Sequence, residues 1–292
     1  MPKKKSFLKL AFSFLAYGNI FVSLSAVSLA AYAIQVMDYK LDFFILFTIF
    51  FATLFGYSFQ RKISILNSKT PTPSAQNTWI KKNLYINNAI IIVSFVACFY
   101  FLYQLPAESF ILIAPLATLS LFYVLRIGNW PALRSIPFLK VFVVAFVWGG
   151  VIVLLPAFYE SDSLELVFTL KKQFLCFSLA FFVFGQSLPF DIRDMYVDKK
   201  ANLQTIPHKI GIQMTLRICW ISLGVAMLIS ITSYLVGFIS WVESTSFVLA
   251  LLSTSALLIY YKKPRPPLYY SIVLEACLML PLLYYHLILW FL

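Results

Sequence analysis

The sequence predicts an all-α, polytopic membrane protein of about nine spans. Three observations predict it: how apolar the chain is, how its apolar residues are grouped, and where its charges fall. Of its 292 residues 61% are hydrophobic, 18% aromatic and only 12% charged, with a mean hydropathy of +0.87. A soluble domain of this length carries about twice that share of charge. Residues 1–292 read as a single transmembrane domain.

Apolar stretches near the roughly 17 to 25 residues of a crossing lie at 10–36, 41–60, 84–105, 108–126, 137–158, 170–190, 212–238, 241–261 and 267–291. The first resembles a secretory leader, with a basic Met1-Pro-Lys-Lys-Lys start and Ala31-Tyr32-Ala33 as a cleavage-like site. Its apolar run exceeds the roughly 7 to 15 residues of a leader core, so it reads as the first span. Pro115, Pro156, Pro189 and Pro281 fall within or at the ends of spans, where neighbouring helices tolerate them. Pro189 is a candidate end for the sixth span.

Counted by alternate loops, one side holds every basic residue except Lys40, Lys171 and Lys172. The other carries Asp38, Asp42, Glu108, Glu160, Asp162, Glu165 and Glu243, seven of the 11 acidic residues. By the positive-inside rule the N-terminus is cytoplasmic and, with nine spans, the C-terminus outside, in a bacterial-type inner or plasma membrane. The membrane therefore accounts for the net charge of +12, and a nucleic-acid partner is excluded. Cys98, Cys176, Cys219 and Cys277 lie singly in apolar runs; they read as core residues, and thiol chemistry has no support.

One stretch, residues 185–211, is both apolar-flanked and densely charged. Asp191, Asp194 and Asp198 are spaced i, i+3, i+7, which puts three carboxylates within roughly 60° on one helical face. A solvated face would offset them with Lys or Arg three or four positions on; here those positions hold other carboxylates or neutral residues. A hard divalent cation together with a phosphate fits such a face, since Mg2+ is held by one or two carboxylates plus substrate phosphate oxygens. The competing reading is a juxtamembrane helix loosely neutralised by Arg193, Lys199 and Lys200. These aspartates are the only acids on an otherwise basic side, an arrangement that attracts polyanions. At the bilayer centre each would cost about 2.5 to 3.5 kcal/mol, so they line a polar cavity or its mouth.

The loop 61–83, rich in Ser, Thr, Asn and Pro, reads equally as a lid or as a connector. Residues 123–140 set cations beside aromatics, as interfacial anchors do. Glu275 is the one acid deep in a span, a functional candidate by default or a carboxyl bonded to a neighbouring Tyr or Ser. A transporter lacks support, because no paired broken helices with matched charges are evident.

Phe190-Asp-Ile-Arg-Asp194, then Asp198-Lys199, then Gln204-Thr-Ile-Pro-His-Lys-Ile-Gly211 resembles the second aspartate motif of the UbiA superfamily of intramembrane prenyltransferases and its trailing Thr-Leu-Pro-x-x-x-Gly segment. It is most similar to the dihydroxynaphthoate polyprenyltransferases of menaquinone synthesis. The resemblance implies a UbiA-like helical bundle around a central cavity that opens to the cytoplasmic side. It implies Mg2+-dependent transfer of a prenyl group from an isoprenoid diphosphate to a lipid-soluble, quinone-precursor-like or other aromatic acceptor. It implies Asp191, Asp194 and Asp198 as catalytic metal ligands and Arg126, Arg193 and Lys199 as cations for the diphosphate. The family's first motif, Asn-Asp-x-x-Asp-x-x-x-Asp, is missing: its place reads Tyr57-Ser-Phe-Gln-Arg-Lys-Ile-Ser-Ile-Leu-Asn67, and no carboxylate occurs between Asp42 and Glu108. Arg61 and Lys62 then stand where a second metal would, and contact the diphosphate directly. The alternative is a UbiA-fold protein that binds a lipid or a partner without turnover.

Overall fold

The computed structural model describes residues 7–66, 74–125, 132–136, 138–161, 163–200, 204–259 and 265–292. Among these residues there is no strand. The helices are α1 (Phe7–Tyr17), α2 (Ile20–Val36), α3 (Phe43–Leu66), α4 (Ala75–Lys82), α5 (Leu84–Tyr103) and α6 (Phe110–Phe122). Then follow α7 (Leu139–Gly149), α8 (Leu155–Glu160), α9 (Leu164–Val167), α10 (Leu170–Lys200), α11 (Ile206–Leu235), α12 (Trp241–Ile259) and α13 (Leu280–Phe291). A π-helical turn, Gly150–Leu154, joins α7 to α8, and a second, Tyr269–Leu274, leads towards α13.

Among the described residues seven helices are long and apolar enough to cross a membrane, or eight if a bent pair counts as one span. The expected nine is therefore not reached, for two local reasons. The first stretch is broken into α1 and α2, bent by 64°, at Gly18 and Asn19, the latter at φ 61°. The fourth forms only the short apolar helix Ala107–Phe122. The loop after α3 is partly helical: Ser74 caps α4 by accepting from the Asn77 N–H at 3.0 Å. Trp79 of α4 packs on Phe14 and Tyr17 of α1, with ring centroids 6.3 and 6.4 Å away.

Helix α10 runs 31 residues without a break, through Pro189. Pro189 thus does not end the sixth span: the carbonyl its ring opposes is that of Gly185, four positions back. At 1.5 Å per residue the helix is about 46 Å long, roughly ten residues more than the hydrocarbon core requires. The three aspartates occupy that surplus. Helix α10 packs chiefly on α11 and α7. A Cβ at Gly185 would sit 3.0 Å from the Cys219 carbonyl oxygen, and one at Gly149 would sit 3.2 Å from that of Cys176. Both glycines lie at close helix contacts. Around this pair the buried core includes Leu29, Leu179, Phe182, Leu188, Phe247 and Tyr270.

Each part of the segment after α10 has a structural task. Pro207 sits in the first turn of α11, and Gly211 takes φ 79°, ψ 166° inside it, a region open essentially to Gly alone. His208 Nε2 lies 2.8 Å from the Met195 carbonyl and Nδ1 2.8 Å from the Thr205 hydroxyl. A carbonyl only accepts, so Nε2 carries the proton and Nδ1 accepts from Thr205. This histidine fastens the start of α11 to the end of α10.

Candidate functional site

The charges absent from α10's own face come from other elements. Lys140, in the first turn of α7, places Nζ 2.5 Å from Asp191 Oδ1 and 3.8 Å from Asp198 Oδ2. Both aspartates are buried, at 2% and 6% exposure. Asp194 turns to its neighbour: Arg193 donates from Nε and Nη2 to its two oxygens, each at 2.8 Å. Such a bidentate pair fixes a carboxylate in orientation as well as in charge. The Arg193 guanidinium also lies 5.1 Å from the Phe190 ring centroid and 5.3 Å from that of Tyr270. It is held between a carboxylate and two aromatic faces.

Of the sequence-predicted cations, Arg61 joins this group: on α3, it feels the charges of Asp194, Arg193 and Arg134. Lys62 does not, since its Nζ donates to Asn88 Oδ1 of α5 at 2.8 Å. Lys199 is exposed. Arg126 lies outside the described residues. Sequence reasoning takes Lys140 only as part of an interfacial anchor, since it sits 51 positions from Asp191, beyond the reach of any helical spacing. Arg134 and Tyr123 belong to the same anchor reading. Their backbones meet where the Arg134 N–H donates to the Tyr123 carbonyl at 3.2 Å. Below the charged layer, Trp148 Nε1 of α7 donates to the Tyr57 hydroxyl of α3 at 3.1 Å, setting two aromatic rings across the bundle.

A divalent cation can be weighed against these contacts. Among the described residues no three Asp, Glu, His or Cys side chains converge to hold an ion by themselves. Asp198 Oδ2, however, is buried without a hydrogen-bond partner among the described residues. It is a hard anionic oxygen with unused lone pairs, of the type Mg2+ takes. The donor set therefore fits one ion completed by phosphate oxygens. It does not fit a second on the α3 wall, where Gln60, Arg61 and Lys62 stand.

A helical bundle with an aspartate-rich helix end among cations defines the class, and the family model agrees. The UbiA prenyltransferase family model matches residues 88–267, more than half of the sequence, and the chain belongs to that family. Among solved structures, it is similar to a UbiA homologue from Aeropyrum pernix K1, with 14% identity, a TM-score of 0.68, and 94% of this chain and 99% of that one covered. It is similar also to a UbiA homologue from Archaeoglobus fulgidus bound to GPP and Mg2+, with 13% identity, a TM-score of 0.63, and 94% and 99% covered. A structure of digeranylgeranylglyceryl phosphate synthase matches at 15% identity and a TM-score of 0.57, with 94% and 96% covered. At these identities the likeness is one of fold. No curated protein matches the sequence.

Proposed function

We propose that this chain is an integral-membrane prenyltransferase, acting as one domain over residues 1–292, with the N-terminus cytoplasmic and the C-terminus outside. It takes the prenyl group of an isoprenoid diphosphate and passes it to a lipid-soluble acceptor of the quinone-precursor kind. One observation carries the reading: three aspartates at the end of α10 are set among Lys140, Arg193 and Arg61 within the bundle. Cations and carboxylates held together there suit an anion brought in with a metal ion. The A. fulgidus homologue solved with GPP and Mg2+, and again with DMAPP and Mg2+, supports it.

Asp198, with Asp191 or Asp194, would hold Mg2+, which when bound neutralises charge on the diphosphate. The chain's own groups do the rest. Lys140, Arg193 and Arg61 present positive charge where the C1–O bond of the donor breaks and its electron pair leaves with the diphosphate, an electrostatic contribution strongest where water is excluded. With no carboxylate on the α3 wall, Arg61 supplies there the charge that a second ion would bring. The aromatic faces of Tyr57, Trp148, Phe190 and Tyr270 suit an allylic cation and shield it from water.

A second reading, binding without turnover, is favoured by the saturation of two carboxylates: Asp191 is paired with Lys140 and Asp194 with Arg193. Purified protein heated with geranyl diphosphate and Mg2+ is expected to unfold at a higher temperature than with either alone. No shift under any condition refutes the prenyltransferase reading. Membranes given a labelled prenyl diphosphate and hydroxylated aromatic acceptors are expected to form product, and Asp194→Asn to abolish it. A thermal shift with no product for any acceptor supports the second reading.

A further inference from the structure

The carboxylate of Glu275 lies apart from the aspartate motif, and its backbone is irregular. The π-helical turn Tyr269–Leu274 ends directly before it, and a 3-10 turn, Cys277–Met279, follows two residues later. Such turns release carbonyls from the helical ladder, and both released groups here are held by other helices. Gln186 of α10 donates to the Leu274 carbonyl at 2.7 Å, and Ser25 of α2 donates to the Glu275 carbonyl at 3.0 Å. Clamped from two sides, Glu275 has its side chain within electrostatic reach of Arg193 and Arg61 and of the Tyr57 hydroxyl.

Despite those charges, Glu275 Oε2 is buried and has no hydrogen-bond partner among the described residues. Buried polar atoms are nearly always bonded, and an exception calls for a cause. Inside a membrane bundle an unpaired carboxylate oxygen is more costly still. Tyr270 is adjacent in the same segment, and the Tyr57–Trp148 pair stands across from it. A donor carried on a flat, apolar molecule suits these surroundings.

Resting on the prenyltransferase reading, we propose that Glu275 Oε2 accepts the hydrogen bond of the acceptor substrate's hydroxyl and so selects a phenol-type acceptor. The diphosphate is recognised by Lys140, Arg193 and Arg61, and the acceptor by Glu275, from a different segment.

The test uses purified full-length protein and a matched pair of probes, 1-naphthol and 1-methoxynaphthalene, which differ in the donor hydrogen. Wild type is expected to bind the naphthol about tenfold more tightly, the discrimination of one hydrogen bond. Glu275→Gln is expected to reduce that preference several-fold and Glu275→Leu to remove it. Geranyl diphosphate binding should be retained in both variants, since Glu275 lies outside the aspartate motif. Equal binding of the two probes by wild type overturns the proposal without need of a variant. So does a preference that persists undiminished in Glu275→Leu. Failure of geranyl diphosphate to bind wild type, with the naphthol preference intact and sensitive to Glu275, counts against the prenyltransferase reading and leaves the hydroxyl site standing.

Discussion

Lys140 is the cation paired with the buried Asp191 and the one beside Asp198 at the end of α10. With Asp191 only 2% exposed and its ammonium partner 2.5 Å away, removal of the lysine strands a carboxylate in a poorly solvated place. Breaking one side of such a pair typically costs about 3 to 5 kcal/mol. Lys140→Met is expected to lower the thermal midpoint in detergent markedly, and Lys140→Met with Asp191→Asn to recover much of the loss. An unchanged midpoint in the single variant would show that water or another cation already satisfies Asp191. The acid stripe itself was legible in the i, i+3, i+7 spacing, because helical geometry is local. Of its counter-charges Arg193 was named in sequence, but its pairing with Asp194 was not, and Lys140 reaches in from another helix.

Between α10 and α11 the contact depends on a glycine where backbone meets backbone. A Cβ at Gly185 would lie 3.0 Å from the Cys219 carbonyl oxygen and 3.2 Å from Ser222 Cβ, and neither can rotate away. Gly185→Ala is expected to destabilise by about 1 to 3 kcal/mol through overpacking. Gly224→Ala, on α11 with nothing within 4 Å of the added methyl, should be neutral or gain up to about 1 kcal/mol of helix propensity. Denaturant unfolding of the two variants checks this; equal effects would mean the helices are free to part. Gly211→Ala should cost about 1 to 3 kcal/mol, because Ala avoids φ 79°, ψ 166°. It should also loosen the His208 tie to Met195, read as faster amide exchange at the end of α10. Of these features, the Thr-Ile-Pro-His-Lys-Ile-Gly segment was visible in sequence. The passage of α10 through Pro189 was not, since a proline's effect depends on what surrounds the carbonyl it opposes.

Opposite ends of the bundle carry opposite chemistry. At one, Tyr159 donates to Asp42 at 2.9 Å, Lys171 pairs with Asp38 at 2.5 Å and Tyr39 meets Ser161 at 3.0 Å. At the other lie Arg61, Lys140 and the three aspartates, and α3 runs between the two from Phe43 to Leu66. Between them α5 turns Ile92, Val93, Val96 and Phe99 outward, each 60% to 63% exposed, a face suited to lipid. If the basic end is cytoplasmic, Lys81→Cys on α4 is expected to react with an impermeant thiol reagent only after the cell is opened. Glu160→Cys should react in intact cells. The reverse pattern would invert the proposed orientation.

The sequence by itself determined the all-helical membrane class, the approximate place of most spans, the acidic face and the resemblance to the family, because hydropathy and helical period are properties of neighbouring residues. Only the tertiary structure decided that the first stretch breaks at Asn19, that α10 continues past Pro189, that Lys140 serves Asp191 and Asp198, and that Glu275 keeps a buried oxygen with no hydrogen-bond partner among the described residues. Each of these depends on contacts between residues far apart in the chain, and burial rather than spacing sets their energy.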